Sequence, residues 1–322
     1  MSIVSVQSKQ GYSFKMLVFF IHGVNTQNYK YANALISNIK KNVKTPVDFY
    51  SSFWGNLFND KKHQIVKYIE RDFQRACLQH GEYSDHHDDI YRYEKHRNDL
   101  INNFIGDLLI YQNPERGKAI RKSICEQFNQ FLDNHPHQTQ IHFVTHSLGS
   151  FILWDLLFSN LLPASDPAFV FRERLHHMDL ESITTLGSPL LFLKQMLDLN
   201  FSVVKQTFEE SYRGKSATSR KLRWVNIIHS SDLIAYPLKA AIEDEVSLEL
   251  LFFDQYVWQC ANRTEQTLRN LGQLDLAMVA AAEDAHSSYF YDNLDGAITA
   301  RIIGYNLLGE IQKLSERCVN PK

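Results

Sequence analysis

The sequence predicts an α/β protein whose central sheet is mostly parallel and flanked by helices. Three observations carry that expectation. Met16–Ile21 is continuously apolar and rich in β-formers, as suits a central strand covered on both faces. Ile141, Phe143 and Val144 form a second such run, and helix-like text with Phe151, Ile152, Leu153, Trp154, Leu156, Leu157 and Phe158 follows at once. Strand-like segments at Ser182–Pro189 and Leu222–His229 then recur between stretches of helical spacing, the alternation that builds parallel sheets.

The remaining elements follow in order. Residues 28–43 have helical character, and Val47–Trp54 reads as a second strand. Residues 55–115 read as a helical insertion, because 60–80 and 88–111 carry helical apolar spacing, as at Ile65, Ile69 and Phe73. A helix over 115–134 feeds the strand that precedes Ser147. Residues 190–220 hold Leu190, Leu191, Phe192, Leu193, Met196, Leu197, Phe201, Val203 and Val204, a stretch that is either a lid or ordinary packing. Residues 245–259 fit a strand or a hairpin equally. A long amphipathic helix closes the chain, with Ile298, Ile302, Ile303, Leu307, Ile311 and Leu314 on one side. No repeat or linker divides residues 1–322, so a single domain with insertions is expected.

Composition narrows the function classes. At 44% apolar and 22% charged residues the chain is of ordinary globular type. A net charge of −2 and a pI near 6.7 argue against nucleic-acid binding through bulk charge. Cys77, Cys125, Cys260 and Cys318 are far apart and match neither a zinc pattern nor a disulfide framework. His80, His86, His87, Asp88, Asp89 and His96 invite a metal reading, but their spacing fits no standard site, and a solvated charged face explains them. No metal or cofactor is expected. The first apolar run is too short for a signal peptide and no segment is long enough to span a bilayer. A cytoplasmic location is the expectation, with signal-independent export left open.

Chemistry concentrates at Thr145-His146-Ser147-Leu148-Gly149, between a strand and a helix. That is the context of a G-x-S-x-G turn, in which a strained Ser is exposed to substrate and the flanking residues must be small. Gly149 meets this demand, whereas Thr145 stands where the pattern has Gly. The N–H of Leu148, opening the helix, is placed to hold an oxyanion. The bland reading is a Ser in an ordinary strand–helix turn. His22-Gly23-Val24 directly follows the first strand, and a Gly there lets the backbone approach a ligand. Ser188 is a rival nucleophile, but Pro189 removes the N–H that an oxyanion hole requires. Gly214-Lys215-Ser216 imitates the end of a phosphate loop, yet Glu209 occupies the position of its first Gly. Asp232 lies three residues beyond the strand ending at His229, and His286 lies in a polar loop ahead of the last helix. Taken singly, Asp232 fits a turn-capping acid and His286 a solvated histidine.

Together, Ser147, Asp232 and His286 stand in the order nucleophile, acid, base. With the His-Gly loop, the Thr-His-Ser-x-Gly turn, the Gly-Ser-Pro turn and a late His followed by Tyr, the sequence resembles the α/β-hydrolase superfamily from Leu17 to about Leu314. Within it, the chain is most similar to lipase-like serine esterases. The resemblance implies a Ser147–His286–Asp232 triad, oxyanion donors at the Val24 and Leu148 N–H groups, and His22, Gly23 and His146 around the substrate. It implies a small-molecule or lipid ester substrate, with transient membrane contact if the ester is a membrane lipid, and no nucleic acid. Thioester and amide substrates use the same triad. A second reading keeps the fold without its chemistry, as a catalytically silent binding or interaction module; the Thr145 departure and the insertion at 55–115 favour it.

Overall fold

The computed structural model describes residues 15–24, 26, 28–79, 81, 106–205, 221–246, 250–257, 263–273 and 285–315. The histidine- and aspartate-rich stretch from His80 to His96, the Gly214–Ser216 imitation of a phosphate loop and residues 206–220 of the lid candidate lie outside them.

Six strands form one parallel sheet: β1 Met16–Ile21, β2 Val47–Ser51, β3 Gln140–His146, β4 Asp179–Leu186, β5 Leu222–His229 and β6 Leu250–Val257. Their spatial order is β2-β1-β3-β4-β5-β6. The helices among the described residues begin with α1 Asn33–Asn42, α2 Asn59–Gln79, α3 Gly106–Gln112 and α4 Pro114–Asp133. They continue with α5 Leu148–Leu157, α6 Pro167–His176, α7 Leu190–Leu197, α8 Lys239–Glu245, α9 Arg263–Asn270, α10 Leu294–Leu308 and α11 Gln312–Ser315.

Strand β1 shows why the sheet needs helices on both faces. Leu17, Phe19 and Ile21 enter one core with α4, α5 and α6, and Met16, Val18 and Phe20 enter another with α1 and α10. Phe128 of α4 stacks on Phe171 of α6 at 4.3 Å between centroids, over Phe143 of β3. All ten residues of α5 are buried, which explains a helix that is apolar all round. Its side chains are core.

Capping residues place the helix ends. Asn113 and Asp166 accept the N–H groups of Arg116 and Ala168 ahead of Pro114 and Pro167, and Asn293 accepts that of Gly296. Two expectations need correction and one open alternative is resolved. Val47–Trp54 is strand only to Ser51. Within the segment at 245–259, open between strand and hairpin, Leu250–Val257 is a strand, β6, parallel to β5 along its length. The closing helix ends at Leu308, because Gly309 takes a left-handed conformation (φ 71°) and terminates it. Ile311 and Leu314 therefore leave the helix, although Leu314 still reaches the second core. No helix among the described residues is long and apolar enough to cross a membrane.

Candidate active site

The site lies at the C-terminal ends of β1, β3, β4 and β5, where each strand hands over to a loop. Strand β3 ends at His146 and α5 begins at Leu148, so Ser147 alone makes the turn. It does so with φ 53° and ψ −128°, a conformation unfavourable for a residue with a Cβ. The Ser147 N–H donates to the Leu186 carbonyl at 2.9 Å, and the Ser147 carbonyl accepts from Ser150 N–H at 2.9 Å. The turn is thus held from β4 and from its own helix.

Two glycines let the backbone close around it. A Cβ on Gly149 would lie 2.4 Å from the Ile21 carbonyl oxygen and 2.7 Å from that of His22. A Cβ on Gly23 would lie 2.4 Å from Ser147 Cβ and 2.7 Å from the His146 carbonyl oxygen. Gly149→Ala is expected to cost about 1–3 kcal/mol, since the obstructing atoms are backbone. Chemical denaturation would read it; an unchanged midpoint would show that β1 yields freely. Thr145, the departure from the motif, belongs to β3 rather than to the turn. Its hydroxyl pairs with that of Ser150 at 3.0 Å, so the branched side chain is accommodated with its polar atom satisfied.

The His22-Gly23-Val24 segment leaves β1 beside the turn. His22 is fully buried: Nδ1 donates to the Gly23 carbonyl (2.7 Å) and Nε2 accepts the Trp54 N–H (3.0 Å). The Trp54 indole donates back to the His22 carbonyl at 3.1 Å, and the two rings stack at 5.0 Å. Both ring nitrogens of His22 are thus taken by the protein. The residue expected at the substrate instead fastens the loop to the exit of β2. Leu148, as the first helical residue, has an N–H with no intrahelical acceptor, at the positive end of α5. The Gly23 contacts bring the loop carrying Val24 against that same N–H.

Asp232 and His286 are brought together although 54 residues separate them. His286 Nδ1 donates to Asp232 Oδ2 at 2.9 Å, and Asp232 Oδ1 accepts the Ile234 N–H at 3.0 Å. Burial pushes the Asp232 carboxyl up. The His286 hydrogen bond and charge, together with the Ile234 and Tyr289 donors, outweigh it and hold the group below the ordinary carboxylate value. His146 donates from Nε2 to the His286 backbone carbonyl at 2.7 Å, and the two rings lie 4.6 Å apart. Burial, then the charge of His286, lowers its pKa to about 3, so it is neutral at working pH. His146 ties the His286 loop to the turn, with its Nε2 committed to that bond rather than to a ligand.

Ser147 Oγ and His286 Nε2 are both buried, and neither has a hydrogen-bond partner among the described residues. Ser188 is buried with its hydroxyl turned to the Leu190 N–H at 3.3 Å. The Gly-Ser-Pro turn and the Tyr that follows His286 both find their place beside Asp232. Gly187 (φ 56°) is where a Cβ would meet Asp232 Oδ2 at 2.8 Å, Tyr289 Cε2 at 3.0 Å and His286 Cε1 at 3.2 Å. Tyr289 itself is fully buried against the acid. Its spacing of three from His286, one helical turn, was the available signal.

The parallel strand order, the strained serine between β3 and α5, and the order Ser147, Asp232, His286 make this the α/β-hydrolase fold. No family model and no curated protein matches the chain. Solved structures similar to it include a protein from Bacillus cereus ATCC 10987, with a TM-score of 0.39 and 8% identity over 84% of this chain and 62% of that one. This chain thus spans less than two thirds of that protein. Dienelactone hydrolase from Anabaena variabilis ATCC 29413 has a TM-score of 0.34 and 10% identity, covering 86% of each chain. The RedJ thioesterase of prodiginine biosynthesis in Streptomyces coelicolor has a TM-score of 0.35 and 10% identity over 81% of this chain and 86% of that one. The fold assignment rests on the topology and the turn, not on these scores.

Proposed function

We propose that the protein is a serine hydrolase that cleaves carboxylic esters of hydrophobic acyl groups or lipids through an acyl-enzyme. The observation that carries this reading is a part-buried Asp232–His286 hydrogen bond, tied through His146 to a strained, buried serine at a helix N-terminus. His286 Nε2 takes the Ser147 proton as Oγ attacks the acyl carbon, and Asp232 holds Nδ1–H and stabilises the imidazolium. The Leu148 and Val24 N–H groups receive the negative charge that develops on the carbonyl oxygen. His286 then gives its proton to the leaving alcohol, and water releases the acyl group by the same steps in reverse roles.

The hydrophobic preference is supported by exposed apolar residues close to the site in sequence. Phe192 and Met196 project from α7 just after the Gly-Ser-Pro turn, and Leu233 follows the acid directly. In this reading residues 190–220 form a lid, residues 55–115 an insertion, and residues 1–322 one domain. The two unbonded atoms, Ser147 Oγ and His286 Nε2, favour the alternative of a silent binding module.

A fluorophosphonate probe separates the two. In the enzyme reading it adds its mass to the peptide that carries Ser147, and p-nitrophenyl esters of increasing chain length then report the acyl preference. Folded protein that stays unlabelled, with and without detergent to open a lid, would sink the enzyme reading.

A further inference from the structure

We infer that Tyr289 is a positioning residue for the reaction, a second side-chain donor that fixes the Asp232 carboxylate while His286 works. The inference rests on the Ser147–His286–Asp232 reading above. Tyr289 is fully buried. Its hydroxyl oxygen accepts the His229 backbone N–H at 2.8 Å, where β5 ends. A phenol has one hydrogen, and with a backbone donor already at its oxygen that hydrogen is directed at Asp232 Oδ2, 2.9 Å away.

The oxygen so engaged is the one that accepts His286 Nδ1–H, also at 2.9 Å. With the Ile234 N–H on Oδ1, three donors therefore fix both oxygens of the carboxylate. Neither side-chain donor can be replaced by water without opening the packing around Gly187. That glycine has no Cβ because Asp232, Tyr289 and His286 all converge within 3.2 Å of where it would stand. Burial, followed by the Asp232 charge, raises the phenol well above its ordinary pKa, so it remains a donor at every working pH. A purely apolar side chain of the same shape would fill the space. Only the hydroxyl reaches the acid.

Losing this donor has a definite sign. A carboxylate with one donor fewer is more basic, holds His286 Nδ1–H more strongly and favours the imidazolium, the form that cannot accept the Ser147 proton. In Tyr289→Phe the acid limb of the pH–rate profile therefore moves to higher pH. The plateau falls by about tenfold, because a charge-assisted bond that orients the acid is gone. The titratable groups facing this cluster are His286, His146 at 5.9 Å from the Tyr289 ring, His229 at 6.3 Å, and Asp295, whose charge also reaches the phenol.

The experiment measures the rate constant of fluorophosphonate labelling against pH for wild type, Tyr289→Phe, Asp232→Asn and the double variant. The expected result is a slowed Tyr289→Phe with its acid limb shifted up, and an added effect below about twofold in the Asp232→Asn background. An equal loss in both backgrounds, or an unmoved limb, would assign Tyr289 to holding the His229 N–H alone and overturn the inference. Wild type that does not label defeats the hydrolase reading itself, a different result from a labelled wild type that Tyr289→Phe leaves unchanged. Should Tyr289→Phe fail to fold, 3-fluorotyrosine at position 289 keeps the shape and donates more strongly. Its acid limb moves to lower pH, and an unchanged limb again overturns the inference.

Discussion

Ser147→Ala is expected to lower turnover of an accepted ester by about 10⁴-fold or more, because nucleophile, base and acid act as a unit. The same change is expected to leave stability intact. Ser147 Oγ is buried without a hydrogen-bond partner among the described residues, so its removal breaks none of their bonds and takes away a desolvated polar atom. The backbone strain at φ 53° stays, since alanine carries a Cβ as serine does. An inactive variant whose denaturation midpoint matches or exceeds that of wild type would show that the hydroxyl is kept for chemistry. Retention of turnover would move the nucleophile elsewhere. Loss of activity with loss of folding would instead make the serine a structural residue.

The second large effect concerns stability, on the face of the sheet that supports the helix opening after Ser147. Arg121 of α4 grips Asp166 with both arms, Nε to Oδ1 at 2.9 Å and Nη2 to Oδ2 at 2.6 Å. Its third nitrogen donates to the Tyr111 hydroxyl at 3.1 Å, and Tyr111 donates to Asp155 Oδ2 at 2.7 Å. Residues from α3, α4, α5 and the cap of α6 thus meet in one buried network. Arg121→Met keeps much of the apolar stem and removes the charge. It leaves two buried carboxylates without their cation, at an expected cost of about 3–5 kcal/mol.

The pH dependence tests the cause. Burial raises the Asp155 pKa from 3.8 to about 6, with the Tyr111 bond and the Arg121 charge only partly opposing it. The folded value lies above the unfolded one, so this group's favourable contribution is full below about pH 4 and lost as pH rises through 6. Without Arg121 the ionised form is still less tolerable. The deficit of Arg121→Met relative to wild type should therefore be larger near pH 8 than near pH 5. Equal deficits in chemical denaturation would show that losing Arg121 leaves the Asp155 pKa where it is in wild type.

Periodicity in the sequence was enough for the regular elements and for the order of the candidate site residues. The apolar run at Met16–Ile21 is a strand because both faces of a parallel sheet are covered, and such text admits little else. The turn at Ser147 was legible because strand, small residue and helix are contiguous there. Asp232 and His286 were legible only by order, since each alone matches a common loop residue.

Tertiary structure decided everything that depends on which distant groups meet. Thr145 reads as a flaw in the motif until Ser150 is seen to satisfy its hydroxyl. His22 and His146 read as site residues, and the fold turns their ring nitrogens to Trp54, Gly23 and the His286 carbonyl. Tyr289 and Gly187 acquire a place only when the turn after β4 and the segment that carries His286 meet at Asp232. The reason is physical. Periodicity records which side of an element faces the core, a local property of neighbouring residues. A hydrogen bond between residues 54 or 140 positions apart depends on strand order and loop path, and leaves no periodic trace in the chain.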